Sequence, residues 1–276
     1  MSIYDEPKID CHNHVFDPAR FPYEADTIYA PSGGEMGTPA QIVQVFDAYG
    51  VRHALVVGPN SGYNRDNRCL LDTLRRSAGR LKGIAVVRND ATPDELEGLK
   101  ASGIVGCALN PALYGVQPYM DIAGLVGNLA ALDMFVQVQV RDDQLLALLP
   151  ALERADVRVL FDHCGRPNPD AGIDQPGFRA LLELGRRGRA FVKLSGQFRY
   201  SRQRYPYADT RPYVDALINA FTLDACVWGS DWPFLRSPER IDYGPLLKIV
   251  EDLLPDADDR RKLLWDTPRR LFGFGG

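Results

Sequence analysis

Residues 54–88 contain ALVVGPN (54–60), NRCLLDTLRRS (67–77) and GIAVVR (83–88). The outer two stretches are short, apolar and rich in valine, and each ends in residues that stop a strand. Such runs predict parallel strands covered on both faces. The middle stretch has apolar residues three and four apart and basic residues in its last turn, so it predicts an amphipathic helix, with Asp66 as its N-cap. Strand, helix and strand together make the crossover unit of a parallel sheet.

The same alternation extends in both directions. Strands are expected at 9–15, 54–60, 83–88, 106–111, 135–140, 157–162, 190–195 and 225–231. Helices are expected at 39–49 after Thr38, at 67–77, at 93–101 after Thr92, and at 121–132, 143–155, 178–187, 212–221 and 243–254. Eight such units over about 250 residues suit a single (β/α)8 TIM barrel in the α/β class. A last helical segment at 258–271 adds an extra C-terminal helix, and residues 1–276 are expected to form one domain. The long connections 16–37, 165–177 and 195–211 each follow a strand. In this fold they belong to the C-terminal rim, where barrels place their chemistry. An open doubly wound sheet is disfavoured, because no glycine-rich phosphate loop follows the first strand.

The chain has 276 residues, 45% of them hydrophobic and 25% charged, with a net charge of -4. That balance argues against nucleic acid as a partner, while leaving room for an anionic small molecule met by local arginines. The five cysteines are odd in number and show no CxxC spacing, as expected of reduced thiols in a cytoplasmic protein. No signal peptide or membrane span is expected, and the oligomeric state is not legible.

Only four histidines occur, so their placement is informative. His12 and His14 stand two apart at the end of the first strand, where alternation sends both imidazoles to one face. His163 ends the sixth strand and Asp231 the eighth. These four residues are expected in one pocket at the C-terminal barrel face. His53, at the start of the second strand, is expected far from it.

Three segments carry a resemblance: DCHNHVFDP (10–18), DHCGRP (162–167) and GSDWP (229–233). They resemble the amidohydrolase superfamily, and within it the group that holds 2-pyrone-4,6-dicarboxylate hydrolase and related lactonases. RFPY (20–23) with Tyr29, DNR (66–68) and KLS (193–195) leading to Arg199 extend the likeness over nearly the whole chain. The resemblance implies a (β/α)8 barrel that hydrolyses a lactone-type ester. It implies catalytic roles for His12, His14, His163 and Asp231 and a carboxylate-holding role for Arg199; Asp231 is the expected general base, because a carboxylate at the end of strand eight would face the histidines across the pocket. Tyr29 and Ser195 are further substrate-binding candidates, and Arg65 and Arg68 could add positive charge at the rim. Asn110 and Gln139, at the ends of strands four and five, complete the list.

Two departures from the family pattern matter. Strand four lacks a metal-bridging Lys or Glu and strand five lacks a histidine, which disfavours a binuclear metal site. The expectation is that no cofactor is required. The alternative is a single divalent metal such as zinc held by His12, His14, His163 and Asp231. Ala108 and Gln139 stand where the pyrone hydrolase has an arginine and a tyrosine, so an anionic lactone other than that pyrone is the expected substrate. Two competing readings are a zinc-dependent decarboxylase of the same superfamily and a non-catalytic barrel that binds small molecules.

Overall fold

A computed structural model of the chain describes residues 2–275. Eight strands form one parallel sheet in chain order: β1 (Lys8–Asn13), β2 (Val51–Val57), β3 (Leu81–Ala85), β4 (Ile104–Leu109), β5 (Phe135–Val138), β6 (Arg158–Phe161), β7 (Ala190–Lys193) and β8 (Cys226–Val227). Helices α1 (Pro39–Ala48), α2 (Arg68–Arg76), α3 (Pro93–Ala101), α4 (Pro111–Tyr114), α5 (Ala123–Ala131), α6 (Leu145–Arg154), α7 (Pro176–Arg186), α8 (Arg211–Phe221) and α9 (Tyr243–Leu253) lie between and after them. This is the (β/α)8 barrel class. The C-terminal extension is α10 (Ala257–Arg261), a π-helical turn (Lys262–Asp266) and α11 (Thr267–Phe272), where the sequence suggests one continuous helix.

The expected strands begin close to where they should but run on too far. Apolar character continues past the last ladder bond, because the loops leaving these strands are themselves buried. β8 shows this most: residues 228–231 leave the regular ladder yet bond irregularly to β1, through Cys11 N–H to the Trp228 carbonyl at 2.9 Å and Asp231 N–H to the His12 carbonyl at 2.7 Å. Helix starts were more legible. Thr38 with Gln41, and Thr92 with Glu95, form reciprocal capping boxes with proline in the first turn. The N-cap of α2 is Asn67 rather than Asp66. Asp66 instead accepts the Arg68 backbone N–H at 3.0 Å and pairs with the Arg68 side chain.

Contacts divide the chain into two compact units, Met1–Val86 with Val227–Gly276, and Val87–Cys226. In the first unit all six β1 residues are buried, including Lys8. The Lys8 ammonium donates to the carbonyls of Tyr4, Glu6 and Tyr49. His53 pairs with Ile9 across β1 and β2, and its ring stacks on Phe274 with centroids 4.9 Å apart. Arg260 of α10 reaches back to Glu6, fixing the C-terminal helices against the start of the chain. In the second unit β4 to β7 pair in register, from Gly106↔Phe135 through Phe135↔Arg158 to Val159↔Ala190.

Burial pushes the Lys8 ammonium from its ordinary 10.5 down to about 8. The unfolded chain therefore holds this proton between those two values while the folded chain has released it. The resulting penalty is complete below pH 8 and fades as the pH rises towards 10.5. Denaturant unfolding should accordingly show stability rising over that window, and the rise should be missing from Lys8→Met.

Candidate active site

The first unit's site begins with a buried carboxylate. Asp10 lies in mid-β1 and is fully buried. Its Oδ1 accepts from the backbone N–H groups of His12 at 3.1 Å and Ser230 at 3.0 Å, and its Oδ2 from the hydroxyls of Ser230 at 2.6 Å and Tyr243 at 2.9 Å. Burial raises the Asp10 carboxyl above its usual range, against the opposing pull of the Ser230, His12 and Tyr243 donors. The Ser230 hydroxyl also accepts the Trp232 N–H at 3.0 Å, and the His14 N–H donates to the Trp232 carbonyl at 2.8 Å. The exit of β1 and the loop after β8 are thus fastened together around one carboxylate.

That fastening brings His12, His14 and Asp231 together. The two imidazoles meet edge to face, with ring centroids 5.0 Å apart. The Nε2 of His12 lies 3.7 Å, and that of His14 3.6 Å, from Oδ1 of Asp231. Asp231 is fully buried and His14 is the most exposed of the three, at 12%. Asp231 sits at φ +62, a left-handed conformation that aspartate tolerates better than most side chains. His14 Nδ1 lies 2.8 Å from the Val57 carbonyl, which can only accept, so Nδ1 carries the proton and the Nε2 lone pair of the neutral ring faces the aspartate.

A nitrogen lone pair and a carboxylate oxygen pointed at the same spot suit something electropositive between them. The ligand atoms of His12, His14 and Asp231 all lie within 4.8 Å of one another, and this donor set fits a divalent metal ion. The tautomer fixed by Val57 is the one a metal-binding histidine needs.

The rim candidates of this unit fare differently. The Tyr29 hydroxyl donates to Glu35, whose other oxygen accepts the Arg236 N–H, and the Arg236 guanidinium lies 5.2 Å above the Tyr29 ring. The Arg68 guanidinium is 69% exposed and engaged by both oxygens of Asp66. Arg65 is exposed.

His163 belongs to the second unit, just past β6, at φ +49. Its Nδ1 lies 3.0 Å from the hydroxyl of Ser195, which is buried. Arg199 is half-buried, its guanidinium 5.0 Å from the Phe198 ring centre. Gln139 is half-buried after β5. The Asn110 side chain caps α4 by accepting the Leu113 N–H at 3.1 Å, which accounts for the residue structurally.

Sequence reasoning missed Asp10, Ser230 and Tyr243. The signal for Asp10 was present, since 10, 12 and 14 alternate onto one face. Ser230 and Tyr243, which complete its bonding, lie more than two hundred positions away. Gly229 is a second hidden requirement: a Cβ there would fall 2.6 Å from His12 Cβ and 2.7 Å from its backbone nitrogen. Gly229→Ala should therefore displace His12, lowering stability by about 1–3 kcal/mol and turnover more than tenfold in protein that remains folded. Urea titration beside initial rates checks both effects.

The described residues contain no helix long and apolar enough to cross a membrane. Comparison with known proteins places the chain. The amidohydrolase family model matches residues 9–274. A 4-sulfomuconolactone hydrolase from Hydrogenophaga intermedia is 32% identical over 273 residues, covering 96% of this chain and 88% of that protein. A 2-pyrone-4,6-dicarboxylate hydrolase from Comamonas testosteroni is 26% identical, covering 96% of this chain and 89% of its own length. The crystal structure of a probable 2-pyrone-4,6-dicarboxylic acid hydrolase from Acinetobacter baumannii, with citric acid bound, superposes with a TM-score of 0.86 at 29% identity, over 98% of this chain and all of that one. With its fold, its histidine pair and its aspartate all inside the matched span, the chain belongs to the amidohydrolase family.

Proposed function

We propose that this protein is a hydrolase that opens a lactone or related cyclic ester of an anionic, carboxylated small molecule. The reading treats residues 1–276 as one catalytic domain. Its main support is the convergence of two imidazoles on one fully buried carboxylate, His12 and His14 on Asp231. The relatives named for sulfomuconolactone and pyrone dicarboxylate act on lactones that carry acidic groups, which supports the substrate class.

Asp231 takes a proton from water, and the oxygen so activated attacks the lactone carbonyl carbon. The ring C–O bond breaks as the tetrahedral intermediate collapses, and the departing alkoxide regains the proton from Asp231. His12, His14 and His163 stabilise the oxyanion. His14 has its Nδ1–H committed to Val57, so it can donate from Nε2 only as the imidazolium.

The reaction written this way requires no cofactor. A single divalent ion such as zinc is the alternative that His12, His14 and Asp231 would hold, with His163 as a further ligand, and when bound it would polarise the ester carbonyl. Arg199 holds a substrate carboxylate through a bidentate pair, with Gln139 and Arg65 beside it. Tyr29, Arg68, Asn110 and Ser195 already hold partners within the protein, so they contribute to substrate binding only by giving those up. The five cysteines are buried thiols, as a reducing cytoplasm would keep them.

The test is a panel of anionic lactones, including the pyrone dicarboxylate, assayed with and without chelator and scored for both ring opening and carbon dioxide release. Wild type should open at least one carboxylated lactone, and Asp231→Asn should lose roughly 10²–10⁴ in turnover while folding normally. Chelator-resistant rates support the cofactor-free route, and chelator-sensitive rates support the metal. Undiminished activity in Asp231→Asn would falsify the general-base assignment. Carbon dioxide release without ring opening would replace the hydrolase reading with a decarboxylase.

A further inference from the structure

We infer that β7 works as a clamp on the turn that carries His163, with Lys193 and Ser195 as positioning residues. This rests on the proposed use of His163 in hydrolysis. Successive residues leaving β6 are gripped by alternate residues at the end of β7 and just past it, Lys193 and Ser195. The Lys193 ammonium, fully buried, lies 3.0 Å from Oδ1 of Asp162 and donates to Gln137 Oε1 at 2.6 Å. Gln137 closes the triangle by donating its Nε2 to Asp162 Oδ2 at 2.9 Å. One residue on, Ser195 meets His163 Nδ1 at 3.0 Å, and the Cys164 thiol reaches the Ser195 carbonyl at 3.8 Å.

The turn held in this way is strained. His163, Cys164 and Arg166 are all non-glycine residues at positive φ, between +45 and +57. Such conformations persist only when their surroundings over-determine them. Gly196 belongs to the same device: it has φ +64, and a Cβ there would stand 2.5 Å from His163 Nδ1. A buried lysine joined to a buried aspartate is a weak source of stability, since desolvation offsets most of the attraction. It is a good source of fixed geometry. The Ser195 hydroxyl also engages Nδ1 of His163, which fixes the orientation of the ring and leaves Nε2 as the nitrogen offered to chemistry. Ser195 is thereby a support for His163 rather than a ligand for substrate.

The test uses the full chain labelled with ¹⁵N. Two-bond ¹H–¹⁵N spectra read the ring tautomer of each of the four histidines, His163 being assigned by its loss in His163→Gln. Wild type should show His163 in a single ring form, as expected of a ring held in one orientation. Ser195→Ala should show a mixture, with kcat lowered roughly tenfold to a hundredfold and KM unchanged. The double variant Lys193→Met with Asp162→Asn removes both buried charges, avoids the misfolding risk of either alone, and should give the same pattern. A Ser195→Ala protein with the wild-type tautomer and kcat overturns the clamp. So does a raised KM at unchanged kcat, which would return Ser195 to substrate binding. A changed tautomer with no loss of kcat leaves the clamp standing and removes His163 from the hydrolytic reading.

Discussion

The Asp10 carboxylate is the interaction on which the first unit's site depends. Four donors from three separate segments end on its two oxygens: the His12 backbone, the Ser230 backbone and hydroxyl, and the Tyr243 hydroxyl. Of these, His12 lies in β1 and Tyr243 opens α9, while Ser230 lies in the irregular segment after β8, which the carboxylate ties to both. A buried carboxylate left unsatisfied costs several kcal/mol, so the chain arrangement that supplies all four donors is strongly selected over its neighbours. His12 and Asp231 are placed as a by-product. One lies two residues beyond Asp10, and the other immediately follows Ser230.

A similar logic operates in the second unit with different chemistry. There a buried ammonium, a carboxylate and an amide form a closed triangle across β5, β6 and β7. Both devices use polar groups deep in apolar surroundings, where partial satisfaction is worse than none. Each fixes the exit of a strand, and each strand exit carries a histidine. Precision of placement is what a reacting constellation needs, since small displacements of catalytic groups cost far more in rate than in stability.

The surface charges tell a plainer story. Arg20, Arg75 and Arg76 gather on Asp72 and hold its carboxyl down at about 2, and Arg80 and Lys82 reach backbone carbonyls. The basic residues in the last turn of α2 and just after it thus serve local structure. Arg68 is engaged in the same manner by Asp66, which weakens its claim to a substrate carboxylate.

The alternation of strands and helices, and therefore the fold class, was legible from residues alone. Periodicity and capping are local properties: apolar runs such as 54–57 and the Thr92–Glu95 box report on their own backbone without help from distant parts. The pairing of His12 with His14 was legible for the same reason, since alternation along one strand puts both on one face. Strand ends were not legible, because the loops that leave β1, β6 and β8 are as buried as the strands and carry the same composition. Nor were the partners of Asp10, the ring contact that requires glycine at 196, or the loss of Tyr29 and Asn110 to Glu35 and to the α4 cap. Those depend on side chains far apart in the chain meeting at hydrogen-bond distance, a property of the folded backbone to which local patterning is blind.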